Sequence, residues 1–153
     1  MALATPHKPR LFIDADVLFA GAAAPREHGA SLVILRLAEI PLIEAITSQQ
    51  VIVEAERNLL EKIPAALPAF RLLVSRCLTI VPSPTPQELE PYQGLADAKD
   101  LPILVAALLS GCQWLVTFNT RDFQPGHPHV AVLKPGDILL RVREQLSGLA
   151  GRE

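Results

Sequence analysis

The sequence contains little cysteine, no long apolar run and no excess of positive charge, and each absence excludes a class of protein. The two cysteines among the 153 residues, Cys77 and Cys112, lie far apart without metal-ligand spacing, which favours a reduced, cytoplasmic protein. No apolar run approaches the ~18 residues that a membrane span requires. With 14 Lys and Arg against 16 Asp and Glu, the net charge is −2, which excludes a general nucleic-acid coating protein. A nucleic-acid partner would therefore need a local basic patch or a metal ion.

The length of the chain suits one domain with a full hydrophobic core. We expect a flexible leader over residues 1–10, a single domain over 11–148 and a flexible tail over 149–153. The apolar run that follows the leader is interrupted by Asp14, so the leader does not resemble a signal peptide.

Strand-like and helix-like apolar patterns alternate along the chain. Short apolar runs predict strands, and apolar positions three and four residues apart predict helices. Because parallel strands need crossover helices, the alternation predicts a three-layer α/β/α sandwich with a central parallel sheet. Strands are predicted at 11–13, 42–47, 77–81, 114–118 and 130–133, helices at 31–40, 51–63, 69–74, 103–109 and 138–146, and a loop at 21–28.

Acidic and amide side chains lie where predicted strands end and where a predicted helix begins. Since the carboxyl ends of parallel strands meet at one edge of a sheet, we expect these groups to converge on one site. Carboxylates without a cysteine or histidine pair suit Mg²⁺ or Mn²⁺, which prefer oxygen ligands. Such ions promote phosphodiester cleavage by activating water and stabilising charge on the phosphate oxygens. The set comprises Asp14, Asp16, Asp97, Asp100, Asn119 and Asp122.

Four motifs that follow one another over nearly the whole chain resemble those of a PIN-domain ribonuclease. They are residues 12–18 (FIDADVL), Ser48 followed by Glu54 and Leu59, residues 97–100 (DAKD) before an Ala-rich helix, and residues 115–123 (LVTFNTRDF). The resemblance implies a PIN-like fold and an endonuclease that cleaves single-stranded RNA with Mg²⁺ or Mn²⁺. Such proteins are commonly homodimers and often the toxin of a bacterial toxin–antitoxin pair resembling VapC, so an antitoxin protein is an expected partner.

The resemblance also implies roles for individual residues. The implied catalytic and metal-binding residues, all acidic, are Asp14, Glu54, Asp100 and Asp122. The implied supporting residues, which would position the ligands or hold a water at the metal, are Asp16, Asp97, Thr117 and Asn119. Basic residues beside the motifs are candidates for contacts to RNA phosphates, namely Arg57, Lys99 and Arg121.

Three positions depart from the family pattern. Asp16 stands where asparagine is usual, and Leu101 stands where an acid is frequent. Asn119 replaces an aspartate that many members have, which implies a weaker second-metal side of the site.

Simpler interpretations of single residues stay open at this stage. Asp14 is suited to capping the turn after its strand, and Asp100 to the N-cap of its helix. On helical periodicity alone, Glu56 lies nearer to the apolar stripe than Glu54, and the family spacing from Ser48 is what selects Glu54.

Other functions stay open as well. One alternative is a catalytically weak or inactive PIN scaffold that binds a partner. A less favoured one is a receiver-like phospho-signalling domain, which Thr117 and Lys134 would suit but which expects an acid within 77–82, where none occurs. A haloacid-dehalogenase-like phosphatase would need threonine or valine at Leu18.

Overall fold

A sheet of five parallel strands forms the centre of the computed structural model, which describes residues 8–23, 29–39 and 42–150. The strands are β1 (Arg10–Ile13), β2 (Glu44–Ser48), β3 (Leu78–Val81), β4 (Trp114–Val116) and β5 (Ala131–Leu133). Their order in the sheet is β3-β2-β1-β4-β5. The chain moves outward from β1 in both directions, so a crevice opens at the carboxyl end of β1, where ligands bind in open α/β sheets.

Helices connect the strands and cover both faces of the sheet. The predicted three-layer α/β/α sandwich with its parallel sheet is therefore confirmed. No helix in the described part of the chain is long and apolar enough to cross a membrane. The helices are α1 (Ala15–Ala23), α2 (Ala30–Glu39), α3 (Gln49–Lys62), α4 (Leu67–Cys77), α5 (Pro86–Leu89), α6 (Leu101–Leu109) and α7 (Pro135–Ala150), with 3₁₀ turns at Pro64–Ala66, Glu90–Tyr92 and Thr120–Phe123.

Strand β1 is the most deeply buried part of the core. Leu11, Phe12 and Ile13 have no solvent exposure, and Phe12 pairs with Ile46 of β2 on one side and Leu115 of β4 on the other. Burying an apolar side chain of this size contributes about 1.5–3 kcal/mol relative to exposure. The carboxyl end of β1 is thereby fixed against strands on both sides.

The loop expected over 21–28 is wrong at its start, because α1 continues to Ala23. The rest of that loop lies outside the described residues. The backbone carbonyl of Asp14 accepts two N–H groups of the first turn and so starts the helix. Gly21 lies inside α1 where α2 packs very close, because a Cβ at this position would lie 2.7 Å from Cδ1 of Leu35.

Helix α3 begins at the predicted N-cap. The Oγ atom of Ser48 accepts the N–H of Val51 at 3.4 Å. The predicted apolar stripe of this helix is buried as far as Leu59. Ile63, the last predicted member, lies beyond the end of the helix and is 37% exposed, so that part of the prediction is wrong.

Several strands differ from the sequence prediction at their ends. Strand β4 ends at Val116, and the side chain of Phe118 is exposed rather than part of the strand. Strand β1 begins at Arg10, the last residue of the predicted leader. A strand ends where the backbone of the neighbouring strand no longer provides hydrogen-bond partners, and the pattern of apolar residues does not show where that is.

Candidate metal centre

Two acids follow β1 and share one hydroxyl group. Oδ2 of Asp14 accepts a hydrogen bond from Thr117 Oγ1 at 2.8 Å, and its Oδ1 accepts the N–H of Ala15 at 2.7 Å. Oδ2 of Asp16 lies 3.4 Å from the same hydroxyl and accepts the N–H of Phe118 at 3.0 Å. A hydroxyl has one proton to donate, and the shorter distance favours Asp14. Thr117 thus connects the end of β4 to both acids.

The backbone around this pair is held from both neighbouring strands. The N–H of Asp14 donates to the carbonyl of Val116 at 3.0 Å, which continues the pairing of β1 with β4. On the other side, Thr47 Oγ1 donates to the carbonyl of Ile13 at 2.8 Å. The position of Asp14 is therefore set by the sheet itself.

Three further acids converge from the segment before α6 and the turn after β4. One carboxylate oxygen from each of Asp97, Asp100 and Asp122 lies within 4.8 Å of the others. The backbone brings them together, because the N–H of Asp97 donates to the carbonyl of Asp122 at 2.8 Å and the N–H of Asp100 to that of Asp97 at 2.9 Å. These three are the group of potential metal ligands that the described residues place within such reach of one another.

Asp100 occupies the N-cap position of α6, yet its side chain makes no capping hydrogen bond. Its Oδ2 atom is buried without a hydrogen-bond partner. A carboxylate oxygen in that state is costly unless a cation or a proton joins it. Capping thus leaves this side chain unexplained, whereas a metal ligand would account for it.

Helix α3 presents Glu54, not Glu56, to the other acids. The charge of Glu54 raises the pKa of Asp14, of Asp16 and of Asp100, so it acts on both groups of acids. Glu56 instead lies 3.7 Å from Nε of Arg71 in an ion pair between α3 and α4. Periodicity placed Glu56 nearer to the apolar stripe, and its ion pair there lies away from the acids.

Burial and mutual repulsion disfavour the charged forms of these acids. Burial, followed by the charge of Asp16, raises the pKa of Asp14 to about 7, although hydrogen bonds from Thr117 and Ala15 oppose the shift. Burial also raises the pKa of Asp16, against the hydrogen bond from the N–H of Phe118. The same cause raises the pKa of Asp100, where Lys99 opposes it.

The predicted phosphate-binding residues differ in their relation to the acids. Lys99 lies close enough to Asp100 for its charge to lower the pKa of that carboxyl. Arg57 and Glu54 line the same pocket. Arg121 is exposed and, among the described residues, forms no ion pair with any acid.

Asn119 and two hydroxyl residues support the site through atoms that sequence patterns do not mark. The backbone N–H of Asn119 donates to Thr117 Oγ1 at 3.1 Å. Ser83 Oγ accepts the N–H of Gln50 at 3.0 Å and so fixes the start of α3. Ser83 and Thr47 were not anticipated, since a hydroxyl near a motif is too common to be a signal.

The residues present fit a divalent cation. The side-chain donors are carboxylate oxygens, which Mg²⁺ and Mn²⁺ prefer. Two of these oxygens, Asp16 Oδ1 and Asp100 Oδ2, are buried without partners. Burial, together with neighbouring negative charge, raises the pKa values of these acids, and a bound cation would favour their charged forms.

Comparison with known proteins gives one family and a consistent fold. A family model described as PIN domain matches residues 10–121. The structure of PAE2754 from Pyrobaculum aerophilum is similar with a TM-score of 0.65 at 17% identity, over 92% of this chain and 99% of that one. VapBC2 from Rickettsia felis, bound to a DNA fragment from its promoter, is similar with a TM-score of 0.58 at 18% identity, over 82% of this chain and 98% of that one. No curated protein shows significant similarity to the chain.

Proposed function

We propose that this chain, which belongs to the PIN-domain family, is an endoribonuclease that cleaves single-stranded RNA with Mg²⁺ or Mn²⁺. The family makes it a member of a group of nucleases, and the acids at the carboxyl edge of the sheet supply a place for the metal. The proposal extends to the substrate, the metal and the residues that bind it.

The observation that carries the proposal is a pair of acids after β1 and a group of three acids before α6 and after β4, with the charge of Glu54 acting on both. Asp14 and Asp16 come from the end of β1, Glu54 from α3, Asp97 and Asp100 from the segment before α6, and Asp122 from the turn after β4. Buried acids whose charged forms repel one another destabilise the fold, so a structural role is a poor explanation of the set. A site that binds a cation explains both the charge and the position.

The roles of the protein groups follow from their contacts. Asp14, Glu54, Asp100 and Asp122 would hold Mg²⁺ or Mn²⁺, which when bound activates water and stabilises charge on the phosphate oxygens. Thr117 orients Asp14 through the 2.8 Å hydrogen bond, and the N–H of Phe118 orients Asp16. The buried oxygens without hydrogen-bond partners, Asp16 Oδ1 and Asp100 Oδ2, would bind the cation or accept a proton. Lys99, beside Asp100, would contact a phosphate.

A toxin role in a toxin–antitoxin pair is part of the proposal. It is supported by the resemblance of the four motifs to VapC-like toxins and by the fold shared with VapBC2. In that role the chain would be a homodimer in the cytoplasm, and an antitoxin protein would be its partner.

The test compares two neutralising substitutions on the same helix. Glu54→Gln removes the carboxylate that faces the acids, and Glu61→Gln removes an exposed carboxylate two turns further along α3. With labelled single-stranded RNA and Mn²⁺, we expect Glu54→Gln to reduce kcat/KM by roughly 100-fold or more, in line with losing an electrostatic contribution to the transition state. Glu61→Gln should cleave as fast as the unmodified protein. Equal activity of all three proteins would contradict the assignment of Glu54.

A second measurement separates a nuclease from an inactive scaffold. A ligand that binds the folded state raises its thermal stability. We expect Mn²⁺ to raise the Tm of the unmodified protein and of Glu61→Gln, and to do so much less for Glu54→Gln. Absence of any Mn²⁺ effect, together with absence of cleavage, would favour the scaffold that binds a partner.

A further inference from the structure

An apolar groove lies beside the acids, on the side of the sheet that carries β4 and β5. It encloses about 660 Å³ and is bordered by α1, the start of α2, Phe118 and the segment where α7 begins. Small residues form much of its lining, including Ala20, Ala30 and Gly136, so its walls leave room for a flat ring.

The side chain of Phe118 forms one wall of this groove and is unusually exposed for an aromatic residue. Its exposed fraction is 44%, whereas Phe12, Phe70 and Phe123 are buried in the core. The ring of Phe19, on another wall, has Nζ of Lys62 at 5.6 Å from its centroid and is already engaged. Phe118 thus offers the groove an aromatic ring with an open surface.

Phe118 is also linked directly to the acids. Its backbone N–H donates to Asp16 Oδ2 at 3.0 Å, and the preceding Thr117 donates to Asp14. The backbone of Phe118 is therefore fixed relative to the carboxylates. The groove that its side chain lines thus begins at a residue that is hydrogen-bonded to one of the acids.

The charges around the groove suit a base more than a second phosphate. Lys134 and Asp137 both border it, so their charges oppose each other. Among the described residues, the rest of the lining is predominantly apolar, which favours the face of a nucleobase over a charged group.

We propose that this groove binds the base of a nucleotide next to the scissile phosphate, with the ring of Phe118 stacked on that base. This inference rests on the proposed function, since it takes a single-stranded nucleic acid as the ligand. Aromatic stacking accepts any base, because every base has a π face. The groove therefore provides affinity and register for a single strand and excludes a duplex, whose bases are stacked on one another.

Three substitutions test the stacking. Phe118→Leu keeps an apolar side chain but removes the ring, Phe118→Tyr keeps the ring, and Leu140→Ala removes an exposed apolar side chain of α7 that does not border the groove. Binding of a short labelled single-stranded RNA is measured by fluorescence anisotropy with Ca²⁺ in place of Mn²⁺, and cleavage is measured separately with Mn²⁺.

We expect Phe118→Leu to raise the Kd about 5- to 100-fold, the loss typical of one stacked base. Phe118→Tyr and Leu140→Ala should bind like the unmodified protein. Normal binding by Phe118→Leu, equal weakening by Phe118→Tyr, or absence of RNA binding by the unmodified protein would each overturn the inference. So would an altered oligomeric state of Phe118→Leu without altered RNA binding, because the groove would then hold a second copy of the chain. If the unmodified protein binds RNA but does not cleave it, the nuclease assignment fails and the stacking result still stands.

Discussion

Replacing Asp14 with asparagine should make the protein more stable while removing its activity. Asp14 is buried, and its pKa in the folded protein is about 7, against 3.8 for an unperturbed aspartate. The folded state therefore holds a proton that the unfolded chain releases at lower pH. Because the folded state binds more protons, stability falls as pH rises from about 4 to about 7.

The size of the effect follows from the two pKa values. The interval between 3.8 and about 7 corresponds to about 4 kcal/mol of destabilisation once the pH exceeds both values. Asparagine has the same shape and no charge, so it avoids this cost. Its Oδ1 can accept the N–H of Ala15, and its amide can donate to Thr117 Oγ1, which keeps both existing contacts of the carboxylate.

The assay is urea unfolding in the presence of EDTA, followed by the fluorescence of the single tryptophan, Trp114, which lies beside β1 in the sheet. At pH 8 we expect Asp14→Asn to be more stable than the unmodified protein by roughly 2–4 kcal/mol. At pH 4 the advantage should fall below about 1 kcal/mol, because folded Asp14 is then protonated. RNA cleavage with Mn²⁺ should be lost at every pH.

Asp137→Asn serves as the control, because it changes an exposed aspartate in the first turn of α7. It should not stabilise the protein, since an acid near a helix N-terminus contributes about 0.3–1 kcal/mol. An Asp14→Asn protein that is no more stable than the unmodified one at pH 8, or whose advantage is the same at pH 4, would refute the argument from burial.

Two further predictions concern neighbours of these acids. Thr117→Val removes the donor to Asp14 and the acceptor for the N–H of Asn119. Urea unfolding should therefore show a free energy of unfolding that is lower by about 1–3 kcal/mol, with a larger loss at pH 8 than at pH 5, where Asp14 is uncharged. Equal losses at both pH values would contradict the role of the hydroxyl in stabilising the charged form of Asp14. Glu56→Gln breaks the exposed ion pair with Arg71, so the free energy of unfolding should change by less than about 0.5 kcal/mol. The rise in Tm on adding Mn²⁺ should remain. Loss of that rise would instead place Glu56 at the metal.

The central strands were predictable from sequence because β1 and β4 are buried on both faces. A continuous apolar run such as residues 11–13 has few structures open to it other than a buried strand once helices flank it. The alternation of strands and helices then requires parallel pairing of the strands. Helix α1 was missed for the opposite reason. Its residues, ADVLFAGAA, are apolar nearly all round, so they show no helical stripe, and the glycine in its last turn suggests a loop.

The grouping of Asp100 with Asp122 was also predictable, but the contacts within the site were not. Parallel strands bring their carboxyl ends together, which is enough to expect acids that follow different strands at the same edge of the sheet. Sequence does not show that one hydroxyl, Thr117, lies against two carboxylates, because that depends on the register between β1 and β4. The choice between Glu54 and Glu56 likewise depends on how α3 is rotated against α4, which local periodicity does not determine.

Asp16 and Asn119, two departures from the family pattern, meet at the same hydroxyl. Asp16 Oδ2 lies 3.4 Å from Thr117 Oγ1, and the N–H of Asn119 donates to that atom at 3.1 Å. An asparagine at position 16 would still accept the N–H of Phe118, but it would add no charge. Here the charge of Asp16 is the largest cause, after burial, of the raised pKa of Asp14.

A site that lacks an acid at 119 and has an extra one at 16 keeps its negative charge and moves it toward Asp14. We therefore expect Asp16 to contribute to cation binding more than the family pattern implies, and Mn²⁺ binding should release the proton that the raised pKa keeps on Asp14.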